Sequence, residues 1–478
     1  MRGLLLATAA TLALGAAWSG AAHAQTTSPP PATPPAPAPA PAATPAPAPA
    51  AAPSPPTGAT FGVAAPAQPP DAALYTNTPG MAPGSFAVHL NGRVNYYAGV
   101  TGSTADQYDG NKLGALEFQG YIRLYPGFDA VAANGLQYGV IAEIRNPGST
   151  DTGTGPSASG NSTKNTLYWN EAYGYVGLPD LGTLNFGQTD AAFDLLQVGT
   201  FEGFNDGAWN GDVPGFVPAN AVPYYPFADV GNIYNADRIT YMSPIWAGFQ
   251  FGASFAPSTA ALWNTENCTV ASGGCNRVIS TDDPTQAGRW RDMVDVAGQY
   301  NNTFGQLGVS AYAGYIASGQ VVNTSPLVSP SVNMSVGAFG LTLSWGPVTV
   351  GGHLNFGNEN YLWGLQPKGG VPGLAFLVGT QYATGPFILG ASYFKYKFQG
   401  DFSDPTTEGV ETDQGIAAGG TLTIAPGMLL YLSYLYGQRH QAGFDMLAGS
   451  ANSLLGEPFG TNNNVQAQVI ALGTELKW

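Results

Sequence analysis

Charge is scarce in this 478-residue chain: Asp, Glu, Lys and Arg together make up 9% of it, against about 25% in an ordinary soluble protein. A surface so poor in charge is not built to face water on every side. Basic residues are scarcer still, 15 against 30 acids for a net charge of −15, which argues against nucleic acid, since binding it needs Lys/Arg clusters to displace counterions. After the N-terminus there is no apolar run of the ~18–20 residues that a membrane-crossing helix needs. Cysteine is nearly absent, with 2 residues in the whole chain. Histidine is as thin: beyond His23 there are only His89, His353 and His440, none in a nucleophile-elbow, zinc-binding or paired-carboxylate motif. Catalysis, a resident metal and a cofactor therefore have little to stand on; only a Ser–His pair assembled in space would supply a hydrolase.

What is present is aromatic and glycine-rich: 12% of residues are Phe, Trp or Tyr, and 65 are glycine. The N-terminus reads as a secretory signal peptide over residues 1–24, with Arg2, an apolar run from Leu4 to Ala17 and the small-residue site Ala22-His23-Ala24. Residues 25–83 are dominated by Pro and Ala and cannot bury enough apolar surface to offset their ordering entropy, so a disordered spacer is expected. For an exported chain, the expected state of Cys268 and Cys275, close together in a polar loop, is a local disulfide.

From Ser85 the pattern changes to period two, the signature of strands with unlike faces. Phe86, Val88, Leu90, Val94 and Tyr96 alternate with His89, Asn91, Arg93 and Asn95. Leu116, Phe118, Ile122 and Leu124 likewise alternate with Glu117, Gln119 and Arg123. Further candidates run to the C-terminus and total about 16, an even number in the range of bacterial barrels. Short Gly/Pro turns, such as Gly346-Pro347, Gly385-Pro386 and Pro426-Gly427, alternate with long polar loops. A membrane-crossing up-and-down barrel produces that rhythm. The fold expected for residues 84–478 is therefore all-β: a transmembrane antiparallel up-and-down β-barrel, its lipid-facing flanks apolar.

One connection stands apart. Between Thr183-Leu184-Asn185-Phe186-Gly187 and Arg238-Ile239-Thr240-Tyr241-Met242, regularity stops over 188–237, far beyond the usual loop of about 4–6 residues. This insert carries Asp190, Asp194, Glu202, Asp206, Asp212 and Asp229, no Lys or Arg, and many aromatic residues. The motifs flanking it, Ala172-Tyr173-Gly174-Tyr175-Val176-Gly177-Leu178 with Gly182-Thr183-Leu184-Asn185-Phe186-Gly187-Gln188, and then Arg238-Ile239-Thr240-Tyr241-Met242-Ser243-Pro244-Ile245-Trp246-Ala247-Gly248-Phe249, resemble those of the general diffusion porins of Gram-negative outer membranes. The terminal strand, with Ile470, Leu472, Thr474, Leu476 and Trp478 on one face, is similar to the C-terminal signal read by the barrel assembly machinery.

The resemblance implies a long third loop folded into the lumen, a homotrimer set in outer-membrane lipid, and passive diffusion of small hydrophilic solutes and ions; the spacer would then lie in the periplasm. For such a pore, the strand pattern before and after the insert offers Arg93, Arg123, Arg145 and Arg238 as inward basic residues, facing Asp190, Asp194, Glu202 and Asp206 on the insert. Two departures stand out: the extra Gly174-Tyr175, and Gly187-Gln188 where the family commonly has Gly-Arg-Gln. With acids in twofold excess, a weak cation preference is expected. Two other readings fit the same residues. One is a solute-selective channel, for sugars for instance, in which Phe201, Phe204, Trp209, Phe216, Tyr224, Tyr225 and Phe227 form a stacking path; the other is a plugged structural or adhesive barrel.

Overall fold

The computed structural model describes residues 81–108, 111–146, 167–228, 236–258, 291–321, 330–402, 408–447 and 462–478. The signal peptide, most of the spacer and the cysteine pair Cys268 and Cys275 lie outside the described residues. Sixteen strands form the wall. The first four are β1 (Ser85–Ser103), β2 (Leu116–Val131), β3 (Gln137–Arg145) and β4 (Tyr168–Leu178). Next come β5 (Gly182–Thr189), β6 (Ala236–Met242), β7 (Phe249–Ser258) and β8 (Arg291–Phe304). They are followed by β9 (Leu307–Ala317), β10 (Ser335–Trp345), β11 (Val348–Asn358) and β12 (Gly373–Thr384). The wall ends with β13 (Phe387–Phe398), β14 (Glu411–Ala425), β15 (Met428–Gln441) and β16 (Asn464–Lys477).

Each strand pairs antiparallel with the next, and β16 returns to β1 to close the barrel, in register from Arg93 opposite Lys477 to Ser103 opposite Ala467. Closure leaves no open edge, the condition for a sheet to sit in lipid, where an unpaired backbone group finds no water. The period-two pattern then sorts the side chains. Phe86, Val88 and Leu90 stand outward, Val88 with 75% of its surface exposed, while Arg93, Asn95 and Tyr97 on the same strand are buried inside. Apolar residues face out and polar ones in, the reverse of a soluble domain.

The alternation of turns also holds. Tight reversals at Gly346, Gly385 and Gly427 use φ of +56°, +53° and +77°, backbone that glycine adopts without a Cβ penalty. At the β3–β4 pairing a register shift beside Glu143 lets both Asn170 and Glu171 turn inward, as a bulge permits. Among its described residues, the long connection between β5 and β6 carries a short helix, Ala192–Leu195, and two 3-10 turns, Val213–Phe216 and Ala219–Ala221.

This connection supplies the apolar core. Phe193, Leu196 and Val198 pack with Met293, Tyr312, Val336 and Trp363. Phe201, Phe204, Trp209, Phe216, Tyr225 and Phe227 pack with Leu377, Phe394, Leu435 and Val469. The rings proposed above as a stacking path are thus mostly spent on holding the insert to the wall.

Trp478 lies across the closure seam. Its backbone N–H donates to Gly92 O at 3.0 Å, and Gly92 N–H donates to Trp478 O at 3.2 Å. A Cβ on Gly92 would come within 2.7 Å of the indole Cη2. Gly92→Leu is therefore expected to displace Trp478 and cost about 1–3 kcal/mol of overpacking strain. A lowered urea midpoint of the refolded barrel would register this; an unchanged midpoint would count against the seam as a point of stability.

Candidate functional site

Leaving β5, the insert follows the inner wall rather than crossing the lumen as a free loop. Phe193 N–H donates to Asp295 Oδ1 of β8 at 2.8 Å, and Tyr312 Oη of β9 donates to Phe193 O at 2.7 Å. Farther on, Val198 O accepts from His353 Nδ1 of β11 at 2.8 Å. Phe201 and Phe204 then fit against Gly379 of β12 and Gly390 of β13, where a Cβ would stand 2.5 Å from each ring's Cγ. Trp209 lies over Gly415 of β14 and Gly437 of β15 and donates through Nε1 to Ile416 O at 3.2 Å. Phe216 reaches Gly99 of β1.

The return leg retraces the wall. Pro223 rests on Gly437, Tyr224 N–H donates to Asp413 Oδ2 at 2.7 Å, and Asn355 Nδ2 donates to Pro226 O at 2.5 Å. Wall glycines thus form recesses, and insert rings fill them.

The sequence-predicted arginines divide into a row and an outlier. Arg93, Arg123 and Arg145 are direct cross-strand partners on β1, β2 and β3. Like charges opposite one another repel, so the row needs acids between its members. Glu475 lies 3.3 Å from Arg93. Glu143 binds Arg145 at 2.5 and 2.8 Å and lies 4.0 Å from Arg123. Asp212 from the insert reaches Arg123 at 3.2 Å. Tyr121 offers its ring to two of the guanidiniums, 5.3 Å from Arg93 and 4.5 Å from Arg123. Arg238 is elsewhere, buried on β6, 3.9 Å from Asp295 and 3.4 Å from Ser254 Oγ.

The predicted acids divide in the same way. Asp190 and Asp194 act electrostatically on Arg238 at the root of the insert; Asp194 also accepts from Gln197 Nε2 at 2.6 Å. Glu202 is buried within the insert, where Tyr225 Oη and Asn210 Nδ2 donate to it at 3.3 and 3.4 Å. Asp206 lies at the tip. It accepts from Tyr97 Oη at 2.6 Å and from the backbone N–H groups of Asp212 and Val213 at 2.9 and 3.3 Å. The geometry therefore sets Asp206 and Asp212 against the Arg93–Arg123 end of the row, keeps Asp190 and Asp194 with Arg238, and leaves Glu202 bonded inside the insert.

Two features were missed from sequence. Asp212 was counted among the insert's acids but not placed opposite Arg123. On the far wall Arg439 of β15 meets Glu411 at 2.8 Å and Asp413 at 3.4 Å and lies 4.5 Å from the Tyr224 ring centroid. The period-two spacing of Glu411 and Asp413 was the available signal. Gln188, where the family pattern commonly has arginine before the glutamine, donates through Nε2 to Asn170 O at 2.6 Å, a wall contact in place of a charge.

Two outcomes test this geometry. Gly390→Leu should eject Phe204 from its recess; emptying that contact is worth about 3–5 kcal/mol by analogy with a buried Phe→Ala change. Faster proteolytic nicking within 199–228 would report it, and unchanged nicking would refute the recess. The second concerns pH. Burial, then the neighbouring Asp212 charge, raises the Asp206 carboxyl from an ordinary 3.8 to about 7. The folded chain thus holds a proton that the unfolded chain gives up, so stability contributed here is full below about pH 4 and is lost as pH rises to about 7. The urea midpoint should show that decline in the native chain, and Asp206→Asn should remove this share of it; identical profiles would contradict the assignment.

A family model described as Gram-negative porin matches residues 8–441. Among solved structures, a mutant of the Rh. blastica porin aligns over 82% of this chain and 100% of its own, at 13% identity and a TM-score of 0.46. The anion-selective porin from Comamonas acidovorans aligns over the same shares at 14% identity and a TM-score of 0.47. No curated protein sequence matches the chain. The family model alone spans most of the sequence, so the protein belongs to the Gram-negative porins.

Proposed function

We propose that the chain forms a water-filled outer-membrane passage for small hydrophilic solutes and ions, narrowed by the insert at 188–237 and filtered there by charge. Membership of the family supports the channel role and the outer-membrane setting. The observation that carries the finer reading is the seating of the insert: its rings occupy wall recesses from β12 to β1, and its acidic tip faces the arginine row. An insert fixed in that way leaves a defined cross-section, and fixed charges in a low-dielectric passage focus the field on passing ions.

The sign of the filter follows from how the charges are matched. The arginine row is already met on the wall by Glu475 and Glu143, whereas the insert adds carboxylates and no basic residue. We infer a weak preference for cations. The same reading makes the assembly a homotrimer and the Pro/Ala segment a periplasmic spacer.

Single-channel recording of the refolded chain in planar bilayers tests this directly. Discrete conductance steps are expected, with a zero-current potential of cation-selective sign in a KCl gradient. Recorded above about pH 8, where Asp206 is ionised, Asp206→Asn with Asp212→Asn should move that potential toward zero, and Arg123→Gln should move it the other way. An anion-selective native channel would refute the charge filter, and the absence of any conductance would refute the passage itself.

A further inference from the structure

At the long-loop end of the barrel, a cavity of about 610 Å³ opens between the β1–β2 connection and the outer side of the insert. Its floor is apolar: Pro214, Phe216, Val217, Val222 and Pro223, with the ring of Tyr224 beside them. Leu113 and Leu362 form the rim. That floor is anchored by contacts made for other reasons, Phe216 at Gly99, Pro223 at Gly437 and Tyr224 N–H on Asp413, so the cavity is formed in advance of any ligand. The rim is set too. Asp106 Oδ2 accepts from Ser103 N–H at 2.7 Å, and Leu113 N–H donates to Asp106 O at 3.2 Å.

The charged lining residues are Asp106 and Glu117, with no Lys or Arg among them. Asp106 is buried and occupied by the turn it caps. Glu117 is exposed, and its carboxylate makes no hydrogen bond or ion pair among the described residues. Lys112, on the neighbouring ribbon of Gln107–Tyr108 with Asn111–Lys112, does not pair with it. A solvated carboxylate above an apolar floor thus has no cation of its own.

We propose that this cavity binds organic cations, an ammonium group with an aromatic or alkyl body. The ammonium would meet Glu117, away from the Tyr224 ring that Arg439 already covers, and the body would displace water from the apolar floor. Both parts are needed. An exposed ion pair alone contributes about 0–1 kcal/mol, too little for a site. Apolar burial at about 25 cal/mol per Å² adds the larger share, and the carboxylate selects the sign of the charge. The volume lies within the roughly 300–1,000 Å³ typical of small-molecule sites. The inference gives the cation preference proposed above a solute class and a location, and it rests on that reading only for the claim that such solutes pass.

The full-length chain in nanodiscs of zwitterionic lipid, titrated calorimetrically with benzyltrimethylammonium, tests the site, with empty nanodiscs to correct for lipid uptake. One saturable site is expected. Tetramethylammonium, which has the charge without the body, and benzyl alcohol, which has the body without the charge, should each bind at least about tenfold more weakly, a difference of about 1.4 kcal/mol. Glu117→Gln should cost a similar factor, Glu117→Asp much less, and Leu362→Ser should weaken binding while preserving the preference for a cation. Native-like circular dichroism of each variant excludes misfolding as the cause. Equal affinity for tetramethylammonium, or an unchanged constant in Glu117→Gln, would overturn the proposal. In bilayers, the same probe added from the long-loop side should block K⁺ current with the same constant. A chain that binds the probe but never conducts would refute the passage and leave the site standing.

Discussion

Everything in this molecule depends on one seam, the pairing of β16 with β1. Without it two strand edges would be left with unbonded N–H and C=O groups, a cost of several kcal/mol for each group placed in hydrocarbon. With it, the ladder is continuous and every residue of the wall is committed to one of two faces. The inverted distribution of polarity then follows. Leu472, Ile470 and Val100 are exposed on the outer face near the seam, and Arg93, Asn95 and Glu475 are buried behind it.

Committing polar residues to the inside creates a second constraint, because charges enclosed by a wall must be matched there. The geometry answers with pairs. Burying an ion pair is close to neutral in free energy, but leaving one member alone costs about 3–5 kcal/mol, so these pairs act mainly by fixing positions. Arg238 and Asp295 illustrate this. Asp295 faces Arg238, accepts from Ser254 Oγ and also accepts the Phe193 N–H, which fixes the point at which the insert begins to follow the wall. The Arg93–Arg123 pair, with Asp206 and Asp212 opposite, does the same at the far end. Between the two anchors the insert is held by apolar contacts, so charge sets its ends and packing sets its course.

The wall was legible in the sequence and the interior only in part, for a physical reason. A strand's alternation is local: Phe86, Val88 and Leu90 announce their face within six residues of chain, and Gly346-Pro347 or Gly385-Pro386 announce the turn. The inward arginines were readable on the same grounds. Their partners were not, because register decides them: Arg93 meets Glu475 only through the closure, and Arg439 meets Glu411 only through the β14–β15 pairing. The insert's aromatic residues misled in one respect. Taken as a solute path, they are packed into recesses at Gly379, Gly390 and Gly415; a glycine in a strand shows in sequence, but which ring it receives does not.

The connection between β11 and β12 shows the same limit and adds a structural consequence. Rather than running open as a polar loop, it turns inward: Trp363 is fully buried against Phe193, with ring centroids 5.4 Å apart, and Tyr361 meets Tyr224 at 5.1 Å. Both residues adopt left-handed backbone, with φ of +60° and +55°, a conformation that costs roughly 1–2 kcal/mol per residue without a glycine. Burial of a large ring is worth about 3–5 kcal/mol, so packing outweighs the strain and the inward course is the stable one. At the loop's root, burial raises the Glu359 carboxyl to about 8, which keeps it neutral at pH 7 and spares the interior another unmatched charge. The insert is therefore gripped on two sides, by the wall beneath it and by this second loop, and its position is a joint product of segments about 150 residues apart in the chain.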